Sequence, residues 1–350
     1  MKNQQFAGKL PVPPKRMHPR SLITILLILL PAISLCALAM GRYRVPLPQV
    51  AAILANRLLP LSPSWTAQME NVVLNIRLPR IFAAILVGSA LGLSGAVYQG
   101  MFRNPLVSPD ILGVSSGACV GAAAAILYHL GPWAIQLLAL AGGLAAVLLT
   151  VTIPKLFKNA SSLMLVLAGV VVSGFMNALL GAMKYIADPE NELAAIVYWT
   201  MGSLASARGT ETLIMAPGIL TALVLVLLLR WRINLLALGD AEAHSLGVNV
   251  RALRGLMILC STTLTALAIC LSGTIGWVGL VIPHLGRLLV GQDHQHLLPA
   301  SALIGAVFMV IVDTLARNIS GSEIPLSILT GLLGTPLFIW LLLRQRARIG

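Results

Sequence analysis

A short segment rich in glycine and serine, Gly113-Val-Ser-Ser-Gly117, is the stretch of this chain that most resembles a catalytic motif. It fits the Gly-x-Ser-x-Gly pattern, in which a serine nucleophile lies on a sharp turn between a strand and a helix. The residues around it form a long uncharged apolar run, so we predict no strand before it, and no histidine and acid can be assigned as its partners. We therefore interpret the segment as the start of a membrane helix, and we predict no catalytic residue and no enzyme activity.

The sequence also gives no good indication of a nucleotide-binding site or a catalytic metal site. The sequence contains neither a Gly-x-x-x-x-Gly-Lys-Ser/Thr phosphate loop nor a His-Glu-x-x-His motif. Asp293, His294 and His296 form a small cluster, which we interpret as a solvated turn rather than a metal site. The four cysteines lie in apolar runs without Cys-x-x-Cys spacing, so we expect buried, inert thiols. We expect this chain to bind no metal and no cofactor.

Ionisable residues within apolar segments are informative because a charge is costly there. Asp313 and Arg317 are four residues apart, a spacing that places them on one helix face, where they could pair. These two residues could form a neutralising ion pair or could have a role in transport, and both alternatives remain open. His284 and Arg287 are expected at the end of a span, in contact with lipid headgroups. Few acidic residues lie deep in apolar segments, which disfavours a carrier driven by protons or sodium without excluding one.

Residues 230–254 form a charged segment between two apolar runs. Asp240 and Glu242 are followed by Ala243 and then by Gly247. A short helix typically has acidic residues near its start and a glycine just after its end. We interpret the segment as a short helix in a loop that contacts a partner in water.

The composition indicates the class of protein. Of the 350 residues, 58% are hydrophobic and 10% are charged, whereas soluble domains carry about 25% charged residues. Uncharged apolar runs at 21–41, 81–102 and 159–183 each match the roughly 20 residues that an α-helix needs to cross a bilayer. We predict an all-α integral membrane protein.

The apolar runs predict about ten transmembrane helices within 21–343 and a helix at 193–204 that is too short to cross. An even number of spans places both termini on one side. With that topology 16 Lys and Arg residues face the cytoplasm and 8 face outward, as the positive-inside rule requires. We therefore expect cytoplasmic tails at 1–20 and 344–350 and a cytoplasmic coupling loop at 231–251. This topology accounts for the formal net charge of +13 without nucleic-acid binding.

Several long motifs resemble the permease subunits of type II ATP-binding-cassette (ABC) importers, over about residues 20–345. That family takes up ferric siderophores, haem and vitamin B12, and one branch handles molybdate or tungstate. The motifs are IRLPRIFAAILVGSALGLSGAVYQGMFRNPLVSPDILGVSSGA (76–118), SGTIGWVGLVIPHLGRLLVG (272–291) and ARNISGSEIPLSILTGLLGTPLFIWLL (316–342). In the coupling loop, Glu242-Ala243-x-x-x-Gly247 resembles the motif that docks into a groove of the ATPase subunit.

The resemblance implies a ten-span subunit in the lipid of the bacterial cytoplasmic (inner) membrane. It would work as a homodimer, or as a heterodimer with a related permease. Two ATPase subunits, which bind ATP and Mg, would lie on the cytoplasmic side and would contact Asp240, Glu242, Ala243 and Gly247. A periplasmic or tethered substrate-binding protein would dock on the other side.

Further site residues follow from the same resemblance. Arg77, Arg80 and Arg317 match positions whose guanidiniums engage acidic residues of the binding protein, and our topology places all three at the outer face. Ser161 and Ser162 match the cytoplasmic gate between spans four and five. The pathway would run between two permease copies, lined mainly by spans five and ten and by 193–204.

The substrate is not determined by the sequence. A ferric siderophore is our first expectation because such substrates dominate the family. Molybdate or tungstate is a rival, because YIADPENELAAIVYWTMGSLAS (185–206) and the GWVGLVIPHLGRLLVG segment also resemble that branch. Haem and vitamin B12 remain alternatives within the same architecture, and a secondary carrier is the alternative from another class.

Overall fold

A computed structural model describes residues 17–57, 59, 62, 64–157, 161–205, 207 and 209–346, and these residues contain helices and no strand. The helices are α1 (Pro19–Ala39), α2 (Leu47–Ala55), α3 (Ala67–Asn71), α4 (Leu78–Met101), α5 (Val114–Leu127), α6 (Gly131–Leu156), α7 (Ser162–Ile186), α8 (Glu192–Met201), α9 (Gly209–Leu228), α10 (Arg230–Leu238), α11 (Asp240–Ser245), α12 (Val250–Ser272), α13 (Val278–Val290), α14 (His294–Asn318) and α15 (Leu326–Arg346). A π-helical segment, Val72–Arg77, joins α3 to α4, and a 3-10 turn, Pro109–Leu112, precedes α5.

The described helices agree with the predicted membrane class. Seven are long and apolar enough to cross a bilayer: α1, the continuous α3–α4 unit, α6, α7, α9, α12 and α14. Three shorter apolar helices, α5, α13 and the first part of α15, bring the total to ten. The all-α prediction and the approximate span count are confirmed. The short helix predicted at 193–204 is α8, which has ten residues.

Helix α4 lies at the centre of the bundle and packs against α14, α12, α13 and α9. Glycines allow the closest of these contacts. A Cβ atom on Gly88 would come within 2.2 Å of the Gly305 carbonyl oxygen, and one on Gly305 within 2.2 Å of the Gly88 oxygen. Gly117 and Gly121 make similar contacts with α6. Small residues that let backbones approach are the usual basis of helix association in lipid, and the Gly88-x-x-x-Gly92 and Gly117-x-x-x-Gly121 spacings lie at such contacts.

Two polar side chains of α13 correct a prediction. His284 and Arg287 were expected to meet lipid headgroups, but His284 is buried and its Nε2 lies 2.8 Å from the Pro105 carbonyl oxygen. The Arg287 guanidinium donates to the side-chain oxygen of Gln99, whose Nε2 in turn donates to the Val107 carbonyl oxygen at 3.1 Å. These groups face the loop after α4, because that loop folds back into the bundle and its carbonyls need donors at membrane depth.

The two ends of the bundle differ in the segments that lie there. We call the end that carries α10 and α11 the inner end, and the end that carries Arg77, at the start of α4, the outer end. The backbone N–H of Met17 donates to the Leu289 carbonyl oxygen at 3.2 Å, at the inner end of α13. Helix α15 begins beside Gly202 at the opposite end, where the Leu326 N–H donates to the Gly202 carbonyl oxygen at 2.9 Å. Both ends of the described chain therefore lie at the inner end.

The predicted tails fall largely outside the described residues, which exclude 1–16 and 347–350. The cysteine prediction needs one correction. All four cysteines are free thiols, but Cys36 is exposed. The reason is that α1 lies at the edge of the bundle, with only four of its residues buried.

Candidate functional site

The coupling loop contains the short helix that the sequence predicts. Helix α11 follows Gly239, which has a φ of 137°, and is ended by Gly247, which has a φ of 79°. After its last turn, the Gly247 N–H donates to the His244 carbonyl oxygen at 2.9 Å, and the Val248 N–H donates to that of Ala243 at 3.1 Å. This pair of bonds is a Schellman motif, which requires a left-handed residue at the position of Gly247. The expected glycine stop is therefore confirmed.

One face of α11 is buried against the rest of the chain and the other is exposed. Ala243 is fully buried, whereas Glu242 and Gly247 are exposed. Asp240 Oδ1 accepts a hydrogen bond from Arg254 Nη2 at 2.6 Å, which ties the start of α11 to α12. The two acidic residues of the first turn are favourably placed in the field of the helix N-terminus. The helix therefore presents a small, rigid, acidic surface at the inner end.

Helix α10 connects α11 to the bundle. Its Ile233 and Leu236 are buried, and the helix packs against α4 and α14. The Asn234 side chain donates to Asp293 Oδ1 at 2.7 Å and accepts from the His294 N–H at 2.9 Å. Helix α10, which precedes α11 in the chain, is therefore hydrogen-bonded to the start of α14.

The Asp293 cluster is a helix junction. Asp293 is exposed and His296 is partly exposed, as a solvated turn predicts, whereas His294 departs from that prediction. His294 is buried because its ring packs where Gly100 leaves room for it on α4. Burial opposes ionisation of Asp293, but hydrogen bonds from Asn234 and the Gln295 backbone outweigh it and hold the pKa of this carboxyl below its usual value. The carboxylate therefore remains charged as the N-cap of α14.

The two predicted gate serines lie at the start of α7, at the inner end. Ser161 is the N-cap of α7, and its hydroxyl oxygen accepts from the Met164 N–H at 3.2 Å. Ser162 is half-buried in the first turn. Helix α7 packs against α5 and α6. A gating role for these serines stays a prediction.

The three predicted docking arginines come together at the outer end, but their side chains are buried. Arg77 donates to the carbonyl oxygens of Leu38 at 2.6 Å and Tyr43 at 2.5 Å. Because one of these oxygens belongs to the last turn of α1 and the other to the segment after it, this arginine ties the end of α1 and that segment to the start of α4.

The other two arginines share one carboxylate. Arg80 Nε lies 2.8 Å from Asp313 Oδ1, and Arg317 Nε lies 3.2 Å from Asp313 Oδ2. Arg80 also reaches Glu323 Oε1 at 2.8 Å. The Asp313–Arg317 pair was predicted from its spacing, whereas Arg80 and Glu323 were not foreseen as its partners. A docking role for the arginines stays a prediction.

The Gly113–Gly117 segment shows the local structure expected of a helix start. Gly113 has a φ of 85° and precedes α5. The Ser115 hydroxyl donates to Asp110 in the turn before the helix, and that of Ser116 donates to the Gly113 carbonyl oxygen at 3.2 Å. These hydroxyls therefore serve backbone and turn contacts at the start of α5.

Comparison with known proteins places this bundle in a family. A family model described as the FecCD transport family matches residues 26–344. A molybdate import system permease protein, MolB of Haemophilus influenzae, is 43% identical over 316 residues, which is 90% of this chain and 92% of that protein. A protein of Helicobacter pylori named as an iron chelatin transport system permease is 46% identical over 280 residues, 80% of this chain and 85% of the relative.

A solved structure shows the same architecture. It is an inward-facing conformation of an ABC transporter of the metal-chelate type, with 40% identity and a TM-score of 0.84, and the match covers 93% of this chain and all of that one. The family match spans nearly all ten membrane helices, from within α1 to the last turn of α15. This chain is a member of the FecCD transport family.

Proposed function

We propose that this protein is the membrane-spanning permease subunit of an ABC importer in the bacterial cytoplasmic membrane. The observation that carries the proposal is α11, a capped helix with an exposed acidic surface that is joined through α10 to the start of α14. The sequence has no phosphate loop of its own, so energy would come from a separate ATPase that binds ATP and Mg. The names of the relatives, which are permease proteins, support this assignment.

In the proposed mechanism two ATPase subunits hold α11 in a surface groove on the cytoplasmic side. Closure of those subunits on ATP moves α11, and Asn234 passes the displacement to Asp293 and His294 at the start of α14. Because α14 packs closely against α4, the movement would reach the outer end as a shift of rigid helices. Alternating access then follows from packed elements that slide as units.

The pathway is proposed to lie between two copies of this chain. Helix α7 exposes a row of large apolar side chains, including Leu163, Leu167, Val171 and Phe175, and α15 exposes Leu332 and Leu333. These helices are the fifth and tenth spans. A second copy would cover part of this surface and leave the rest as the wall of the pathway.

The outer end is proposed to receive the substrate-binding protein. The cluster there combines the guanidiniums of Arg77, Arg80 and Arg317 with the carboxylates of Asp313 and Glu323, three positive against two negative charges. Since the cations are bound inside the chain, we propose that they set the shape and the positive potential of this surface. Such a potential favours encounter with an acidic partner.

The substrate is proposed to be a ferric siderophore or a related metal chelate. The metal-chelate type of the solved relative and the iron chelatin permease support this class. Molybdate is the second candidate, and it is favoured by the identity to MolB across 90% of the chain. Uptake of radiolabelled iron complex or molybdate through the importer loaded with its own binding protein would decide between them.

The experiment that tests the coupling role is the Glu242→Ala variant of the importer reconstituted in vesicles. We expect ATP hydrolysis to persist while uptake falls by about tenfold or more, since the acidic contact of α11 would be lost. Glu190→Ala removes an equally exposed carboxylate before α8, which is at the outer end, and should leave both rates unchanged. Normal uptake in Glu242→Ala would contradict the coupling role.

A further inference from the structure

A partly open cavity of about 310 Å³ lies at the outer end and is lined by residues of α5, α6, α8, α9 and α12. Its walls are mainly apolar and include Ile126, Pro132, Ile135 and Leu271. The aromatic side chains of Tyr198 and Trp199 on α8 also line it. The volume lies at the lower bound of pockets that hold small organic ligands.

One charged side chain faces this cavity. Glu211 lines it, is only 7% exposed, and makes no hydrogen bond or ion pair with any residue that the structure describes. It is in the first turn of α9, where the field of the helix N-terminus stabilises a carboxylate. The helix thus explains how the charge is tolerated, but it supplies no partner for it. Ionisable residues at membrane depth usually pair.

A second acceptor in the wall has no hydrogen-bond partner among the described residues. Gln136 on α6 is 9% exposed, and its Oε1 is buried without a hydrogen-bond partner in the described structure. A buried acceptor left unpaired costs free energy. Cys270 is close by, since its Sγ donates to the Gln136 backbone carbonyl at 3.3 Å.

We propose that this cavity is a binding site for a small primary amine with an apolar body. An ammonium group would donate to Glu211 and, after a small rotation of the amide, to Gln136. The rings of Tyr198 and Trp199 would supply the negative faces that attract a cation, and the aliphatic wall would cover the apolar body. Among the described residues that line the cavity, Glu211 is the one with a charged side chain, which favours a cation over an anion. The site is independent of the transport assignment.

The test uses the full importer complex in detergent with 2-phenylethylamine as the probe. Thermal unfolding would be followed through the exposure of buried thiols, because a ligand that binds the folded state raises the unfolding temperature. We expect the amine to raise it in a saturable manner, whereas 3-phenylpropionate, an anion of similar shape, should have no effect. If 2-phenylethanol raised it as much as the amine, the cavity would be an apolar cleft only and the proposal would be overturned.

Three variants locate the binding. Glu211→Gln keeps the shape of the side chain and should weaken amine binding by about tenfold or more, the size expected for loss of a charged hydrogen bond. Glu190→Gln, an exposed carboxylate, should bind the amine normally. Arg208, which precedes Glu211 by three residues in the sequence, lies outside the described residues, and the Arg208→Gln variant tests whether a cation of the chain itself competes with the amine; this variant should bind the amine at least as tightly. Unchanged affinity in Glu211→Gln would overturn the proposal.

The amine could be a soluble solute or the headgroup of phosphatidylethanolamine, since both present a primary ammonium. Nanodiscs of phosphatidylcholine with and without phosphatidylethanolamine distinguish these sources. Weaker apparent affinity for 2-phenylethylamine when the ethanolamine lipid is present identifies the lipid as the occupant. Equal affinity in both identifies a soluble amine. The loss of affinity in Glu211→Gln is expected in either case.

Discussion

At the residue scale, Asp313 explains why two arginines tolerate burial at the outer end. Its two carboxylate oxygens are divided between Arg80 and Arg317, and Glu323 takes a second nitrogen of Arg80. Removing one partner of a buried pair leaves an uncompensated charge, which is far more costly than removing an exposed pair. The cluster therefore stabilises the junction of α4, α14 and the loop before α15.

The first prediction follows from this difference between buried and exposed ion pairs. Arg80→Met should lower the free energy of unfolding by about 3–5 kcal/mol because it leaves Asp313 and Glu323 without their shared cation. Arg57→Met is the matched control. Arg57 and Glu70 lie 3.7 Å apart, and their side chains are 66% and 37% exposed, so its loss should change stability by less than about 1 kcal/mol. Denaturant unfolding of the purified complex measures both, and equal midpoints would contradict the assigned role of the network.

Gly247 carries the second prediction. A Cβ atom there would meet no atom within 4 Å, so the effect of Gly247→Ala comes from the positive φ alone. We expect about 1–2 kcal/mol of local destabilisation, seen as faster hydrogen exchange in α11 and weaker ATPase binding. Gly247→Asn should be milder because asparagine adopts the left-handed conformation more readily.

Gly255→Ala is the control for Gly247→Ala. Gly255 also has open space around its Cβ position but lies in helical backbone within α12. The substitution should therefore leave α11 unchanged and stabilise its own helix slightly. Similar hydrogen exchange in the two alanine variants would show that the Schellman motif does not determine the order of α11.

At the scale of the elements, the sequence predicts individual helices better than their partners. Gly88-x-x-x-Gly92 indicates a packing face, but nothing local identifies Gly305, more than 200 residues later, as its partner. Arg80 and Glu323 were missed as partners of Asp313 for the same reason. The i,i+4 pair of Asp313 and Arg317 was found because helix geometry alone fixes it.

The junction of α10 and α14 shows the same limit. Asp293 is exposed, as its place in a turn predicts, whereas the burial of His294 was missed because Asn234 and Gly100, which contact its ring, are distant in the sequence. The capping of α11 by Gly247 was predictable, since a Schellman motif involves only six consecutive residues. Local geometry is thus encoded in short segments, whereas burial depends on the fold.

The third prediction belongs to the α4–α14 contact. Gly88→Ala or Gly305→Ala should force the two helices apart, because each added methyl would lie 2.2 Å from a carbonyl oxygen of the other helix. We expect the free energy of unfolding to fall by about 1–3 kcal/mol, which is typical of overpacking. Gly181→Ala on α7, where a Cβ atom meets nothing within 4 Å, is the control. Thermal unfolding of the three variants in one detergent checks the ranking, and equal unfolding temperatures would contradict it.

At the scale of the whole molecule, the topology was predictable from counting. The even number of spans and the distribution of Lys and Arg place the coupling loop and both ends on one side. In the described chain, Met17 lies beside Leu289 and α15 begins beside Gly202 at the opposite end of the bundle, so both described ends lie at one end. That this end faces the cytoplasm stays a prediction. Helix α11 and the arginine cluster lie at opposite ends of the bundle, so energy input and substrate delivery would be separated by the length of α14.

The last prediction uses that separation. In vesicles that contain the permease, its ATPase and its binding protein, uptake should require ATP on the side that carries α11 and substrate with binding protein on the side that carries Arg77. Vesicles with the permease alone should show no uptake under an imposed proton gradient, because few carboxylates lie at the depth where a coupling ion would bind. Gradient-driven uptake by the permease alone would instead identify a secondary carrier. ATP-dependent uptake that is abolished when the ATPase is omitted, in vesicles whose orientation is verified by protease access to the coupling loop, would establish that a separate ATPase drives uptake from the side that carries α11.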